Sequence, residues 1–246
     1  MEFNVLRAYS DRVMNYTTDR FGGVSKAPYD SLNIALHVGD NPKDVISNRI
    51  IISEKLNFLA QNMIFMDQVH KDNIVNISDT SQNKIPSCDG IITNIKNIPL
   101  MVMVADCIPL TFFDPIQNVA GVAHAGRNGT FLGISTKMVK NFVDNYNSKV
   151  EDIIVGVGVS IHSCCYEVGD SLANIAMKSF GEKYVTLRDE KYFLDIQALN
   201  VDQLVERGVL LKNIEISPIC SCCNSNYFSY RREGVTGRFG SFLMLI

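Results

Sequence analysis

The 246-residue chain is 46% hydrophobic and 20% charged, an ordinary globular composition that excludes disorder, collagen and coiled coil. Its 23 basic and 26 acidic residues give a net charge of −3, so there is no electrostatic case for nucleic acid as the main partner. The longest apolar run, Ile98–Ala105, is far too short for a membrane span. Because Arg7, Asp11 and Arg12 stand where a signal peptide needs its apolar core, we expect a cytoplasmic protein.

Hydrophobic periodicity predicts one domain over residues 1–246, of the α/β class, with a mixed β-sheet flanked by helices. The predicted strands are Asn4–Arg7, Arg12–Thr17, Ile64–His70, Leu100–Ala105, Leu110–Phe113, Val119–His124, Ile153–Val159, Tyr192–Leu194, Ile214–Ile219 and Ser241–Ile246. Helical spacing predicts helices at Lys43–Leu56, Gly129–Tyr146, Ser171–Phe180 and Asp195–Arg207. A tight turn at Asp114-Pro115 and Asn118 makes the two strands beside it antiparallel neighbours.

Three residues that can bind a metal lie at the end of an apolar run or just after one. They are His70, Cys107 and His124. We expect such strand ends to project polar groups into a cleft. Two imidazoles and one thiolate suit zinc and leave a fourth position for water or substrate. The spacings of 37 and 17 residues match no compact zinc-finger motif, so chemistry alone also allows three ordinary polar residues at strand ends.

Cys107 has a second interpretation, as a nucleophile activated by His124 or His70. A catalytic thiolate needs a base and an orienting group, and Asp106 or Asp89 is available as the latter. Since successive strand residues face opposite sides, we expect Asp106 to turn away from Cys107.

Five of the seven cysteines form two groups, Cys164–Cys165 and Cys220-Ser221-Cys222-Cys223. A chain of this length needs no disulfides, so we expect reduced thiols. The Cys220–Cys223 spacing occurs in structural metal sites, but no second C-x-x-C accompanies it, and Cys164–Cys165 is only a conceivable partner pair. We therefore interpret these cysteines as small buried hydrophobic residues.

Several arginines are candidates for binding a phosphate or a carboxylate. They are Arg20, Arg49, Arg231, Arg232 and Arg238. The loop that begins at Gly126 opens a predicted helix, whose first backbone amides favour an anion. A solvated charged face, or a simple turn, is the alternative for each of these features.

Short motifs follow one another over nearly the whole chain, from about Thr17 to Arg238. They are Thr17-Thr18-Asp19-Arg20-Phe21-Gly22-Gly23-Val24-Ser25, Ser31-Leu32-Asn33, His37-Val38-Gly39-Asp40, Asn48-Arg49, Asp67-Gln68-Val69-His70, Asp89-Gly90, Ala105-Asp106-Cys107-Ile108-Pro109, Ala123-His124-Ala125-Gly126, Cys164-Cys165-Tyr166-Glu167-Val168-Gly169, Phe228-Ser229-Tyr230-Arg231-Arg232-Glu233-Gly234 and Thr236-Gly237-Arg238. In this order they resemble the YfiH family, also called the laccase-domain or multicopper polyphenol oxidase family.

The resemblance implies a single domain of the YfiH-like α/β fold with a metal site at its cleft. The family's ligands carry over onto His70, Cys107 and His124 of this sequence. Members of the family are described as zinc-dependent enzymes that phosphorolyse adenosine, inosine and methylthioadenosine and that deaminate adenosine. The resemblance therefore implies zinc as the cofactor and a nucleoside and phosphate as the small-molecule partners, while nothing indicates an oligomeric state.

Further roles follow from the same resemblance. Deamination needs an acid–base group, for which Asp89 and Asp106 are the nearest candidates by position. Phosphorolysis needs a phosphate clamp, for which Arg20 and Arg49 stand in matching motifs. Arg127 replaces a tryptophan of the family's usual H-A-G-W-R-G, and it can supply the charge of the arginine that is lost at the next position.

Two other functions stay open beside the phosphorylase. A multicopper oxidase needs His-X-His pairs, and the four histidines here form none, so a conventional laccase is excluded while a single copper at the same three ligands is not. Bacterial relatives have been linked to peptidoglycan precursors, which leaves a cysteine hydrolase or amidase with Cys107 as nucleophile and His124 as base. A second departure from the family places His162 where a glycine is usual, and we expect that histidine on a solvent-facing loop.

Overall fold

Fourteen strands and seven α-helices make up the protein in a computed structural model that describes residues 1–246. The strands are β1 Val13–Thr17, β2 Ile64–Met66, β3 Ile74–Asn76, β4 Lys84–Ile85, β5 Gly90–Thr93, β6 Leu100–Val104, β7 Ile108–Asp114, β8 Val119–Ala125, β9 Ile154–Val157, β10 Glu167–Val168, β11 Val185–Arg188, β12 Lys191–Leu194, β13 Ile214–Ile216 and β14 Phe239–Leu245. The α-helices are α1 Asn4–Arg7, α2 Pro42–Lys55, α3 Arg127–Phe131, α4 Ile134–Tyr146, α5 Asp170–Phe180, α6 Ile196–Glu206 and α7 Tyr230–Glu233.

Two large sheets and one small sheet contain these strands. The five-stranded sheet has the order β1-β14-β6-β2-β4, and the six-stranded sheet has the order β13-β9-β7-β8-β5-β3. Both large sheets mix parallel with antiparallel pairs, whereas the three-stranded sheet β10-β12-β11 is antiparallel. The predicted mixed α/β class is confirmed, but the single predicted sheet is in fact three sheets.

Side chains of the central strands point alternately to opposite faces of their sheet, and their contacts show how the layers stack. In β6, Leu100, Val102 and Val104 belong to a core that also contains residues of the six-stranded sheet, so the two large sheets pack face to face. Met101 and Met103 point the other way, into a smaller core with α2. The outer face of the six-stranded sheet packs on α4, α5 and α6. Both faces of β6, β7 and β8 are thus covered, which explains their continuous apolar sequences.

The β7–β8 hairpin confirms the predicted tight turn. The Asp114 carboxylate accepts hydrogen bonds from the backbone N–H groups of Ile116, at 2.7 Å, and Gln117, at 3.0 Å, and Asn118 takes a left-handed conformation with φ of 55°. The two strands pair antiparallel from Ile108 with Ala125 to Asp114 with Val119. This hairpin holds the loop before β7 next to the end of β8.

Several predicted elements were wrong in kind or in extent. The predicted strands Ile64–His70, Ile153–Val159 and Ile214–Ile219 are too long, since β2, β9 and β13 end at Met66, Val157 and Ile216. The segment Asn4–Arg7 is the helix α1 rather than a strand, because Phe3 and Leu6 bury one face and Glu215 accepts the Val5 backbone N–H at 2.7 Å. The predicted helix Gly129–Tyr146 is two helices, since Gly133 has a φ of 76° and breaks the chain between α3 and α4. The helices are all too short or too polar to cross a lipid bilayer.

Candidate metal centre

His70, Cys107 and His124 converge at one edge of the two large sheets. His70 follows β2, Cys107 lies in the link between β6 and β7, and His124 is on β8 near its end. Their donor atoms all lie within 4.8 Å of one another, with 4.0 Å between His70 Nε2 and Cys107 Sγ. The three side chains thus lie together, but β2 ends at Met66, so His70 lies in a loop four residues beyond the strand rather than at its end. His124 is buried, Cys107 is half-buried and His70 is exposed, so the group opens to solvent on one side.

The Asp89 carboxylate holds the loop that carries His70. Asp89 is fully buried and accepts hydrogen bonds from three consecutive backbone N–H groups, those of Val69 at 3.2 Å, His70 at 3.0 Å and Lys71 at 2.8 Å. Such a turn is compatible with the left-handed φ of 57° at His70. Asp89 therefore fixes the backbone at His70, and the His70 ring contacts the His124 ring edge to face, with 4.6 Å between the ring centroids.

Asp89 also fixes His124. The distance from His124 Nδ1 to Asp89 Oδ1 is 2.7 Å, and because an ionised carboxylate only accepts, Nδ1 carries the proton. The other ring nitrogen, Nε2, is then free to bind a metal, as in the carboxylate–histidine–metal arrangements of zinc proteins. Burial opposes ionisation of Asp89, but hydrogen bonds from His124 and from the Lys71 and Val69 amides outweigh it and lower the pKa of the carboxyl.

The charges of Cys107 and His124 support each other. Burial opposes a thiolate at Cys107, but the neighbouring His124 and His70 outweigh it and lower the pKa of the thiol to about 6. Burial likewise opposes an imidazolium at His124, but Cys107 and Asp89 outweigh it and raise the pKa of the ring to about 9. The metal-free site therefore favours a thiolate–imidazolium pair at neutral pH. The thiolate is the form of cysteine that binds metals, and a metal ion that binds His124 Nε2 displaces the proton from that nitrogen.

A glycine keeps the space among the three ligands open. A Cβ atom at Gly126 would lie 3.1 Å from His70 Cδ2, 3.2 Å from Cys107 Sγ and 3.5 Å from His124 Cε1. An alanine here would crowd His70 and Cys107, while its contact with His124 would be an ordinary one. Two imidazole nitrogens and one thiolate around such a space fit zinc or copper, and their number leaves a further coordination position for substrate.

A cavity of about 430 Å³ adjoins the three ligands and is large enough for a small organic molecule. Its wall is partly aromatic and partly cationic and includes His37, Gln68, Tyr166, Tyr230, Arg231 and Arg238. Among these, the sequence pointed to the two arginines as candidate anion ligands, but it gave no role to His37, Tyr166 or Gln68. His37, Gln68 and Tyr166 stand in the family-like motifs, and that position was their only signal.

Both carboxylate oxygens of Asp106 accept hydrogen bonds from the protein. Its Oδ1 accepts from Ser221 Oγ at 2.7 Å and its Oδ2 accepts from the backbone N–H of Arg231 at 2.6 Å. The carboxylate thus connects the loop of Cys107 to the cavity wall. Since both Asp106 and Asp89 use both oxygens in this way, their contacts favour a positioning role for each over the acid–base role that the sequence suggested.

The predicted substrate-binding arginines lie outside the cavity wall. Arg20 pairs with Glu233 at 2.5 Å and stacks on the Phe228 ring. Arg49 donates to the Ile34 carbonyl at 2.9 Å, and burial lowers its pKa to about 10. Arg20 is thus held by an ion pair, whereas Arg49 is held by a carbonyl and by the Phe65 ring, 4.3 Å from its central carbon. Arg127 is exposed, and its guanidinium contacts the next side chain, that of Asn128, at 3.1 Å.

Glu233 is the partner that ties Arg20 to the cavity-lining helix α7. Besides Arg20, it accepts from Arg232 Nη2 at 2.9 Å and from the Thr236 hydroxyl. Burial raises the pKa of this carboxyl, but its hydrogen bonds with Thr236, Arg232 and Arg20 outweigh that effect and lower the pKa. The motif arginine therefore acts on the cavity through this network.

The cysteine groups differ from the prediction. Cys220 is buried, but Cys164 and Cys223 are exposed, so the interpretation of the group as buried hydrophobic residues is wrong. The sulfur atoms of Cys164, Cys165, Cys220 and Cys223 all lie within 4.8 Å of one another. His162 stands beside this group, along a shallow groove, and does not line the main cavity.

Comparison with known proteins gives a consistent match. A family model described as multi-copper polyphenol oxidoreductase laccase matches residues 14–246. Purine nucleoside phosphorylase YlmD of Bacillus subtilis is 35% identical over 240 residues, which cover 92% of this chain and 86% of that protein. Purine nucleoside phosphorylase YlmD of Geobacillus stearothermophilus is 33% identical, with 92% and 88% coverage.

Solved structures share the whole fold. The Bacillus licheniformis protein YfiH superposes with a TM-score of 0.91 at 34% identity, covering 95% of this chain and 93% of that one. The Geobacillus stearothermophilus YlmD structure gives a TM-score of 0.88 at 33% identity, covering 95% and 92%. The YfiH-like fold expected from the sequence motifs is therefore confirmed.

Proposed function

The chain belongs to the multi-copper polyphenol oxidoreductase laccase family, and we propose that it is a zinc-dependent purine nucleoside phosphorylase. Relatives with that name match the chain over most of its length. The observation that carries the proposal is that the metal-binding group and two arginines, Arg231 and Arg238, line one cavity. A metal centre beside an anion-binding wall suits a reaction between a nucleoside and phosphate.

His70, Cys107 and His124 hold the metal in this proposal. Zinc at this position supplies a Lewis acid that stabilises negative charge on the substrate. Copper is the alternative that the family description names, and the donor set accepts either ion. Asp89 keeps His124 in the tautomer that presents Nε2, and Gly126 keeps the ligands unobstructed.

The cationic part of the wall binds phosphate. Arg238 donates to the carbonyls of Thr236 and Gly237, both at 2.9 Å, from a single nitrogen, which leaves donors on its other nitrogens. Arg231 uses one nitrogen on the Cys165 carbonyl at 3.1 Å. Although burial lowers the pKa of Arg238, a guanidinium stays charged at neutral pH. The two side chains can therefore hold a dianion with bidentate hydrogen bonds.

The aromatic part of the wall binds the purine. The Tyr166 ring lies beneath the Arg231 guanidinium, 5.3 Å from its central carbon, and Tyr230 stands at the cavity mouth. In phosphorolysis a phosphate oxygen bonds to C1′, the C1′–N9 bond breaks, and the purine leaves as an anion. Burial lowers the pKa of His37, so at neutral pH this histidine is an uncharged ring that can donate a hydrogen bond from its N–H to the departing purine anion, which takes its proton from water.

Adenosine, inosine and methylthioadenosine are the proposed substrates, on the strength of the family resemblance. Deamination of adenosine is a further part of the proposal, and it needs a proton-carrying group. Because Asp89 and Asp106 are committed to protein donors, His37 is the free candidate on the wall. The small partners are thus a nucleoside and phosphate, and we propose a cytoplasmic site of action.

A cysteine hydrolase or amidase is the second candidate, and a specific arrangement favours it. Cys107, His124 and Asp89 have the order of a nucleophile, a base and an orienting carboxylate, with 2.7 Å between His124 and Asp89. The two candidates differ in what Cys107 does. As a metal ligand its sulfur is protected from iodoacetamide by bound zinc, whereas as a nucleophile it reacts fastest in the metal-free protein.

The test is a product analysis on protein whose zinc and copper contents have been measured. Adenosine, inosine and methylthioadenosine are each incubated with and without phosphate, and the products are separated by chromatography and identified by mass. We expect free base and pentose 1-phosphate only when phosphate is present. Inosine formed from adenosine without phosphate would report the deaminase activity.

Two histidine variants provide the matched control. His124→Ala removes a metal ligand and should abolish phosphorolysis, whereas His162→Ala removes a histidine outside the cavity and should leave the rate within about twofold of wild type. Activity that survives in His124→Ala, or that persists after complete chelation, would contradict the proposal. Hydrolysis of a cell-wall precursor by the metal-free wild type, lost in His124→Ala, would support the cysteine hydrolase instead.

A further inference from the structure

We propose that Cys164, Cys165, Cys220 and Cys223 form a second metal site, which binds one structural zinc ion with four thiolates. This site is separate from the His–Cys–His group and does not depend on the proposed function. The four sulfur atoms come from two loops, one that follows β9 and one that follows β13. Nothing in the phosphorylase chemistry uses these residues, so their convergence needs an explanation of its own.

The spacing of the sulfur atoms fits a single tetrahedral ion. The distances are 3.7 Å between Cys164 and Cys165, 3.6 Å between Cys164 and Cys223, and 3.2 Å between Cys165 and Cys223. A zinc–sulfur bond of about 2.3 Å places tetrahedral sulfur atoms about 3.8 Å apart. Iron–sulfur clusters hold their cysteines farther apart, since several iron and sulfide ions separate them. The group is therefore suited to one ion.

A backbone amide beside Cys220 connects the two loops at this sulfur. The backbone N–H of His162 donates to Cys220 Sγ at 3.4 Å, across 58 residues of sequence. Cys220 is buried, and an N–H group that donates to a buried sulfur stabilises the thiolate form that a zinc ligand requires.

Guanidinium groups offset the charge that such a site would carry. Zinc with four thiolates has a net charge of −2. Arg188 donates to the Ser163 carbonyl at 2.6 Å, Arg231 to the Cys165 carbonyl at 3.1 Å, and Arg232 to the Ser221 and Cys222 carbonyls at 2.7 Å and 2.9 Å. Arg188 ends β11 and the other two arginines are in α7, so all three reach the cysteine-bearing loops from neighbouring elements. Arg232 also pairs with Glu233, which leaves Arg188 and Arg231 as the cations that stabilise an anionic centre here.

The ion would fasten the two loops beside the main cavity. An isolated β-bridge between Ser160 and Cys220 connects the backbones of the two loops. In it the Ser221 N–H donates to the Ser160 carbonyl at 2.9 Å. The first loop leads directly into Tyr166, which lines the cavity. Since metal binding contributes folding free energy, the zinc should stabilise this wall.

Zinc stoichiometry tests the proposal in full-length protein purified under reducing conditions. We expect two zinc ions per chain in the wild type by native mass spectrometry and elemental analysis. The His70→Ala/His124→Ala variant should keep one, and the Cys165→Ser/Cys223→Ser variant should also keep one. Cys222→Ser is the matched control, because Cys222 is in the same turn but outside the four-sulfur group, and it should keep two.

X-ray absorption at the zinc edge identifies the ligands without relying on the folding of a cysteine variant. In His70→Ala/His124→Ala with one zinc bound, we expect four sulfur neighbours at about 2.3 Å and no nitrogen or oxygen neighbour. A mixed shell, iron in place of zinc, or loss of zinc from Cys222→Ser would overturn the assignment. So would a wild-type chain that holds at most one zinc and has these cysteines as free thiols or as a disulfide, which lowers the mass by two hydrogen atoms.

Discussion

Replacing Gly126 with alanine should weaken metal binding at the main site without unfolding the protein. Gly126 has φ of −71° and ψ of 172°, a conformation that alanine adopts freely, so the backbone itself is not strained. The new methyl group would lie 3.1 Å from His70 Cδ2 and 3.2 Å from Cys107 Sγ. Comfortable carbon contacts begin at about 3.5 Å, so each ligand must retreat by a few tenths of an ångström.

That displacement is large on the scale of zinc coordination, where ligand distances hold to about ±0.2 Å. We therefore expect zinc affinity to fall by about 10–100-fold, the range found when supporting residues around a metal are changed. This loss corresponds to about 1.4–2.7 kcal/mol. Competition with a fluorescent zinc chelator measures the affinity, and thermal unfolding of the metal-free protein shows whether the fold is intact.

Gly169→Ala is the matched control for this substitution. Gly169 also precedes a helix, with φ of −74° and ψ of 161°, and a Cβ there meets nothing within 4 Å. Its alanine variant should bind zinc as the wild type does. Equal zinc affinities in the two variants would refute the assignment of Gly126 to a metal cradle, whereas a lowered melting temperature in metal-free Gly126→Ala would show that the substitution acts on the fold.

Three further predictions test the cavity, the charge network beside it and the core. Arg238→Met should raise KM for phosphate by about 10–100-fold in steady-state kinetics, with a smaller effect on KM for the nucleoside. The control Arg207→Met, at an exposed position, should leave both KM values unchanged. Equal rises for both substrates in Arg238→Met would count against phosphate binding by Arg238. Glu233→Gln should lower the melting temperature most at neutral pH. The lowered pKa of Glu233 in the folded protein contributes stability above the unfolded pKa of about 4.3, and that stability is lost as the pH falls. The difference in melting temperature from wild type should therefore shrink toward pH 3, and a constant difference would contradict this reasoning. Phe142→Ala should lower the free energy of unfolding, measured by urea denaturation, by about 3–5 kcal/mol, because it empties a fully buried site between α4 and the six-stranded sheet. Phe21→Ala, at an exposed position, should lower it by about 0.5 kcal/mol or less. Similar losses in the two variants would mean that this core is not packed as described.

The main site could be predicted from the sequence because each ligand depends on local pattern. His70, Cys107 and His124 lie at or just after the ends of apolar strands, and β2 and β6 run parallel, so two of the three ends meet at one edge. The donor types then indicated a metal. What the sequence could not give was the burial of Asp89 between His70 and His124, since that arrangement depends on three segments meeting in space.

The cavity wall and the cysteine group were beyond sequence reasoning for a related reason. Arg20 and Arg238 look alike as motif arginines, but Glu233 pairs with Arg20 and leaves it outside the wall. Cys165 and Cys223 come together only because two loops 58 residues apart are adjacent at the same end of the fold. Strands such as β4 and β10 have two residues each, too few to show periodicity. The longer strands of both large sheets were predicted, but periodicity does not show which strands pair, so their division into separate sheets was missed.

Zinc restoration tests the central claim most directly. The protein is stripped by a chelator, zinc is returned in steps, and phosphate-dependent release of hypoxanthine from inosine is followed alongside a Cys107→Ser variant. We predict that turnover returns as the site at His70, Cys107 and His124 fills and stops rising once it is full, with no recovery in the variant. Full turnover in the metal-free protein, or recovery in Cys107→Ser equal to wild type, would contradict the account.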